Sequence, residues 1–166
     1  FGLPGDGKTI TLANLAVQLK KNNKDYICKD KTKRPAIVFL TMENAVRDIV
    51  KIIFNIVTHS NKPMEEYSLE EATAILNQAL GCTPDDPVTI IVKYKPINSV
   101  NTSYLYKLTD DLSDEGYEVI CLIQDYIKRI RPVDYVGDMR LDLGSVINDF
   151  HNYATFYDIP VLTASQ

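Results

Sequence analysis

The chain has 166 residues, of which 45% are hydrophobic and 24% charged, and its formal net charge is −4. These values are ordinary for one soluble globular domain. They argue against a membrane protein, since no apolar run approaches about 20 residues, and against a surface that attracts nucleic acid everywhere. The three cysteines are widely spaced and form no CxxC pair, which argues against a zinc site and favours reduced thiols in a cytoplasmic compartment.

Helical and strand patterns alternate along the chain, which predicts an α/β fold with a mostly parallel sheet and helices on both faces. No internal repeat or linker divides residues 1–166, so we expect a single domain. In chain order the patterns predict a helix over 9–21, a strand over 36–40, a helix over 44–57, a helix after the capping box of Ser68 and Glu71 that ends before Gly81, a strand over 88–92, a helix from 101 or 102 to Gly116, a strand over 119–123, a helix around 143–154 and a strand over 161–164.

Residues 2–9 read Gly-Leu-Pro-Gly-Asp-Gly-Lys-Thr and match the phosphate-binding pattern G-x-x-x-x-G-K-[ST] in full. Glycines let the loop turn so that its backbone N–H groups face a phosphate, and the helix that follows adds its positive end. Lys8 is expected to reach the β and γ phosphates of ATP, and the Thr9 hydroxyl to bind Mg²⁺. The predicted nucleotide-binding residues are Gly2, Pro4, Gly5, Asp6, Gly7, Lys8, Thr9 and Ile10.

Polar residues at the ends of predicted strands supply the other groups that ATP hydrolysis needs. Asp125 follows the apolar run 119–123 and is the candidate carboxylate for Mg²⁺. Glu43 follows the strand over 36–40 and is the candidate group that polarises the attacking water. Gln166 follows the last strand and is the candidate sensor of the γ-phosphate. Each has a plainer alternative, namely a turn residue for Asp125, a first-turn helix residue for Glu43 and an ordinary polar residue for Gln166.

Both ends of the chain resemble cuts through a larger core. A P-loop normally follows a strand, yet only Phe1 precedes Gly2, and the sequence stops directly after a strand. We therefore expect this core to lack its first strand and whatever follows Gln166.

The ordered set of motifs resembles the ATPase core of the hexameric replicative DNA helicases, the DnaB type of bacteria and its phage relatives. In that family a Ser-Leu-Glu follows the second strand, to which Thr41-Met42-Glu43 is similar. An Asp-Tyr follows the Walker B strand, as in Asp125-Tyr126, and a Pro-Val strand with Ser-Gln closes the core, as in residues 160–166. Gln124 departs from the pattern, because that position is usually apolar.

This resemblance implies a RecA-like P-loop NTPase fold and ATP-driven movement on single-stranded DNA by a ring, usually of six subunits. It implies that Lys8 and Thr9 bind phosphate and Mg²⁺, that Glu43 is the catalytic base and that Asp125 is the Walker B acid. Gln166 would couple the γ-phosphate to DNA loops. The implied setting is the cytoplasm of a bacterium or phage-infected cell, with a primase or helicase loader as partner and no membrane. The arginine finger and main DNA loop are expected beyond Gln166.

Two other functions remain open at this stage. A RecA/RadA-type recombinase shares the fold and the placement of the catalytic glutamate, and a nucleotide-dependent regulatory module would use the same P-loop as a switch.

Two basic clusters bear on the DNA question. The stretch from Lys20 to Arg34 is interpreted as a solvated loop. Residues 128–140, here called the basic segment, contain Lys128, Arg129, Arg131 and Arg140 directly after the Asp125 strand. In a helicase we expect the basic segment to be a loop that faces the ring's channel and neutralises DNA phosphates. The alternative is that its arginines pair with acids of a neighbouring subunit.

Overall fold

The sheet follows the parallel arrangement that the sequence predicts. The computed structural model describes residues 7–60, 62–82 and 86–165. Within them the strands β1 (Arg34–Thr41), β2 (Thr89–Tyr94), β3 (Tyr117–Asp125) and β4 (Val161–Thr163) form one sheet in the order β2-β1-β3-β4, and every pair is parallel. Because parallel neighbours need crossover connections, the alternation of helix and strand patterns correctly indicated this α/β class.

Helices cover both faces of the sheet. In the described part of the chain they are α1 (Lys8–Asn22), α2 (Val46–Thr58), α3 (Leu69–Ala79), α4 (Ser103–Asp114) and α5 (Met139–Tyr157), with short 3-10 turns at Met64–Glu66 and Ile127–Arg129. None of these helices is long and apolar enough to cross a membrane.

The helix ends largely follow the capping chemistry of the sequence. Ser68 and Glu71 form the predicted capping box, and Gly81 follows α3 with a φ of 69° that suits glycine. The start of α5 was predicted too late, because the apolar periodicity begins at Leu143. The helix begins at Met139, since the Asp138 carboxylate accepts hydrogen bonds from the first-turn N–H groups of Arg140 and Leu141.

Two apolar layers hold the sheet between the helices. Ile37 and Phe39 of the central strand β1 face α1 and α2, whereas Val38 and Leu40 face α4 and α5. All four side chains are buried, as the near-continuous apolar sequence of a central parallel strand indicates. Strand β1 therefore anchors both layers, and its carboxyl end is held firmly in place.

Lys20 corrects the prediction that the basic stretch from Lys20 to Arg34 is solvated throughout. It lies on the α1 face that carries Ala13, Ala16 and Val17, and its side chain is 1% exposed. The ammonium donates to Asp86 Oδ2 (2.8 Å) and to the carbonyl oxygen of Val88 (2.6 Å). A buried ammonium needs such partners, so Lys20 ties α1 to the start of β2 and is structural.

Candidate nucleotide-binding site

The carboxyl ends of β1 and β3 meet at one edge of the sheet, here called the carboxyl edge. Thr41 pairs in register with Asp125, and the Met42 N–H donates to the carbonyl oxygen of Asp125 (3.1 Å). Parallel strands share this edge, where α/β proteins bind ligands. Glu43, two residues beyond Thr41, and Asp125 consequently lie on the same side of the molecule.

Helix α1 begins at this same edge. The Thr9 hydroxyl donates to Asp125 Oδ2 (2.8 Å) across 116 residues of sequence. Gly7, directly before the helix, has a φ of 71°, a left-handed conformation that glycine adopts without strain. The Gly7 carbonyl accepts from both the N–H (2.8 Å) and the hydroxyl (3.1 Å) of Thr11, which secures the first turn.

The remaining predicted loop residues are placed less completely. Lys8 is the first residue of α1, and the side chain of Ile10 in the same turn is half exposed. Gly2, Pro4, Gly5 and Asp6 lie outside the described residues, as does Gln166. The structure thus brings together Thr9, Glu43 and Asp125 beside the positive end of a helix, which favours anions.

The Asp125 carboxylate is almost fully buried. The side chain is 1% exposed, and this burial is the main reason that the pKa of its carboxyl is raised. Hydrogen bonds from Thr9 and from the side chain of Asn44 lower that pKa in part, while the nearby charge of Glu43 raises it further. Ionising a carboxyl group in this position is costly, an approaching cation would offset the cost, and such sites are often functional.

A short turn after β1 positions Glu43 and Asn44. The Thr41 hydroxyl accepts from the Asn44 N–H (3.2 Å) and donates to the Asn44 carbonyl (3.1 Å). The turn leaves the Glu43 side chain about one-third exposed at the carboxyl edge. Asn44 was missed in the sequence, although a threonine three residues before an asparagine is typical of side-chain-closed turns.

Glu43 is held by an ion pair with Arg129. Both Nε (2.8 Å) and Nη2 (2.6 Å) of Arg129 contact Glu43 Oε1. Tyr126 lies against both side chains, and the pKa of its phenol is raised first by burial and then by the hydrogen bond and charge of Glu43. No sequence pattern indicated this contact, because the partners are 86 residues apart.

The basic segment is mostly an exposed loop. Its backbone is anchored where Asn98 N–H donates to the Arg129 carbonyl (3.0 Å) and Thr102 N–H donates to that of Arg131 (2.9 Å). The guanidinium of Arg131 lies 5.3 Å from the ring centre of Tyr135. Arg140 belongs to the first turn of α5, so the loop is shorter than the sequence predicted.

Gln124 remains unusual in the structure. Its side chain is fully buried, and alternation along β3 turns it toward the same face as Leu122, the face that α4 and α5 cover. Neither amide atom has a hydrogen-bond partner among the described residues, whereas its backbone carbonyl accepts from the Thr163 hydroxyl (2.9 Å). Nothing in the structure explains the polar side chain here.

The donor set at the carboxyl edge suits a hard cation. A hydroxyl and a carboxylate lie in contact at Thr9 and Asp125, and Mg²⁺ prefers oxygen ligands of this kind, often only one or two from the protein beside those of a phosphate. Among residues 7–60, 62–82 and 86–165, no group of three or more His, Cys, Asp or Glu side chains could hold a metal alone. The residues present therefore fit a nucleotide-bound Mg²⁺ better than a metal held by the protein alone.

Comparison with protein families agrees with this geometry. A family model described as divergent DnaB-like ATPase matches residues 1–140. The chain belongs to that family. The DnaB-type resemblance of the sequence is thereby confirmed, and membership of an ATPase family implies nucleotide binding by this DnaB-like domain. No sequence among curated proteins matches the chain.

Two solved structures share the fold of this DnaB-like domain. The isolated ATPase domain of a DnaB-like helicase superposes with a TM-score of 0.66 at 16% identity, covering 96% of this chain and 53% of that one. A DnaB-like replicative helicase, described together with its interactions with primase, superposes with a TM-score of 0.63 at 16% identity, covering 96% of this chain and 37% of that one. The chain thus spans about half or less of the solved chains that it matches.

Proposed function

We propose that this DnaB-like domain is the ATP-hydrolysing motor of a replicative DNA helicase, which moves along single-stranded DNA and unwinds duplex. The observation that carries the proposal is the hydrogen bond between Thr9, at the start of α1, and Asp125, at the end of β3. It joins the two parts that P-loop ATPases need side by side, a phosphate-binding helix start and a metal-orienting acid.

The nucleotide is held from the α1 side. The backbone N–H groups of the loop over residues 2–9 would surround the phosphates, and Lys8 would pair with the β and γ phosphates. The Thr9 hydroxyl and the Asp125 carboxylate are the groups that would hold Mg²⁺. When bound, the ion neutralises charge that develops on the phosphate oxygens. Burial supports this role, since the desolvation of the Asp125 carboxylate outweighs the hydrogen bonds that it accepts.

Hydrolysis is assigned to Glu43. Its carboxylate accepts a proton from the attacking water as the water oxygen bonds to the γ-phosphorus, and the bond from that phosphorus to the ADP oxygen breaks. Gln166 would sense whether the γ-phosphate is present. The parallel pairing of β1 with β3 supports the assignment of Glu43, because it brings this residue to the Asp125 side of the sheet.

DNA binding is assigned to the basic segment, residues 128–140. It directly follows β3, so a change at Asp125 can reach it along the chain, and the side chains of Lys128 and Arg131 are exposed. In a ring, one such segment from each subunit would line the channel, and six subunits are the expected number. A primase or helicase loader is proposed as a further partner, supported by the primase named for one similar structure.

The main test uses the full-length protein. We expect ATP hydrolysis that single-stranded DNA stimulates, and ATP-dependent unwinding of a forked duplex. The Lys8→Ala variant should do neither. Strand exchange without unwinding would instead indicate a recombinase. Nucleotide-dependent partner binding without either activity would indicate a regulatory module, and both results would contradict the helicase proposal.

The basic segment has its own test, which is single-stranded DNA binding over a salt series. Changing Arg129 and Arg131 together to alanine should weaken binding and reduce the slope of log affinity against log salt by roughly 1.4, or about 0.7 for each lost phosphate contact. A matched control changes the exposed Lys29 and Lys31, at the opposite edge of the sheet, to alanine. An unchanged slope in the arginine variant would remove the basic segment from the DNA path.

A further inference from the structure

Arg129 physically connects the basic segment to the candidate catalytic base. Two of its guanidinium nitrogens contact the same oxygen, Oε1 of Glu43, at 2.8 and 2.6 Å. The ring centre of Tyr126 lies 5.0 Å from the guanidinium carbon. The arginine proposed to bind DNA is therefore already engaged by the carboxylate proposed to activate water.

The backbone supports this contact from both sides. The N–H of Arg129 donates to the Tyr126 carbonyl (3.1 Å), and its carbonyl accepts from the Asn98 N–H (3.0 Å). On the other side, the Thr41–Asn44 turn directs Glu43 toward the carboxyl edge. The ion pair thus joins two positioned elements.

The ion pair is also open to competition from solvent. The side chains of Arg129 and Glu43 are 37% and 33% exposed. A phosphate offers the same kind of acceptor oxygens to a guanidinium that a carboxylate offers. One guanidinium cannot direct the same two N–H groups at both acceptors, so binding of a DNA phosphate at Arg129 and pairing with Glu43 exclude one another.

We propose that Arg129 is a positioning residue that restrains the Glu43 carboxylate until a phosphate of single-stranded DNA takes its guanidinium. This inference rests on the proposed helicase function. The restrained carboxylate directs Oε1 at Arg129 instead of at a water molecule, and its charge is already matched by a cation. DNA binding releases it, so ATP is hydrolysed mainly when DNA is present. The coupling is reciprocal, because any state that draws Glu43 away frees Arg129 for DNA.

The test compares ATPase kinetics of full-length variants with and without single-stranded DNA. Arg129→Ala should raise the DNA-free kcat by about fivefold or more, within the usual range of coupling between sites. Stimulation by DNA should fall toward one, and KM for ATP should stay unchanged. Arg129→Lys, which keeps the positive charge, should restore a low DNA-free kcat. Arg129→Gln, similar in length but uncharged, should behave like Arg129→Ala and guards against a folding defect in one variant.

Arg131→Ala is the matched control from the same segment. Arg131 lies over Tyr135, and its replacement removes the same charge. The control should keep the low DNA-free kcat and require more DNA for half-maximal stimulation. Equal losses of kcat in Arg129→Ala with and without DNA would mean that Arg129 assists the base, and an unchanged stimulation ratio would mean that the pair has no role; both results overturn the inference. A wild-type protein that hydrolyses no ATP overturns the proposed function itself, and the inference with it.

Discussion

The two edges of the sheet each hold an acid among hydrogen-bond donors, but they do so in different ways. At the amino edge, the half-buried Glu118 accepts from the Tyr26 hydroxyl (3.3 Å), the Lys29 N–H (3.1 Å) and the Asp30 N–H (3.2 Å). At the carboxyl edge, Asp125 is almost fully buried, and its burial raises the pKa of its carboxyl despite the hydrogen bond from Thr9. One acid is satisfied by the protein, whereas the other is held at a cost.

This contrast separates structural from functional acids in the molecule. Donors that surround Glu118 come from the connection between α1 and β1, so the carboxylate shapes that connection. The donors at Asp125 do not offset the desolvation of its charge, a cost that persists where function selects for it. Amino-edge cations follow the same division, since Lys29 pairs with Asp158 (3.2 Å), whereas Arg129 at the carboxyl edge pairs with the proposed base.

The largest expected difference between the two edges is catalytic. Glu43→Gln should retain ATP binding but lower kcat by about 10²–10⁴-fold, since the water loses its proton acceptor while the phosphate contacts remain. Glu118→Gln is the matched control at the amino edge and should hydrolyse ATP at the wild-type rate. Steady-state ATPase assays with a nucleotide-binding measurement on both variants test this, and near-normal turnover in Glu43→Gln would refute its role.

The next largest difference concerns nucleotide affinity. Lys8→Ala should weaken ATP binding by roughly 10- to 100-fold, since a hydrogen bond to a charged group contributes about 1.5–3 kcal/mol. Lys29→Ala removes the same charge from the amino edge and should bind ATP normally. Titration of a fluorescent ATP analogue measures both affinities. Equal affinities in the two variants would show that α1 does not bind the phosphates.

The sequence predicted the fold well because its strongest patterns are local. The apolar runs over 36–40 and 119–123 lie within β1 and β3, and polar residues directly after them mark the carboxyl edge. The strand-end rule therefore predicted correctly that Glu43 and Asp125 share one edge. Element ends were less accurate, as α5 shows, because the Asp138 cap outweighs the apolar periodicity there.

Contacts between distant segments could not be predicted in the same way. The ion pair of Arg129 with Glu43 and the burial of Lys20 against Asp86 depend on how loops meet after the sheet has formed. Charge counting treats Lys20 and Arg129 as similar solvated cations, whereas one is buried and structural and the other is half exposed beside the proposed base. Tertiary geometry alone separates them.

The smallest expected difference is in stability. Without Mg²⁺ or nucleotide, Asp125→Asn should raise the thermal midpoint at pH 7 by about 2–4 °C, the shift that roughly 1 kcal/mol produces in a chain of this size. The amide removes a buried charge, and its oxygen can still accept from Thr9. Glu118→Gln should lower the midpoint by a similar amount, because its new NH₂ group faces backbone donors and loses a hydrogen bond of about 1 kcal/mol.

The pH dependence of this difference identifies its cause. The folded-state pKa of Asp125 lies above the ordinary 3.8, so the folded protein binds the proton more tightly than the unfolded chain does. The stabilisation from that proton is complete below pH 3.8 and is lost as the pH rises through the raised pKa. The advantage of Asp125→Asn should accordingly be largest at neutral pH and shrink on acidification, which urea midpoints of both proteins between about pH 7 and pH 5 would record. An advantage that stays constant across this range would mean that the variant acts through packing, and the contrast between Asp125 and Glu118 would then not be one of charge.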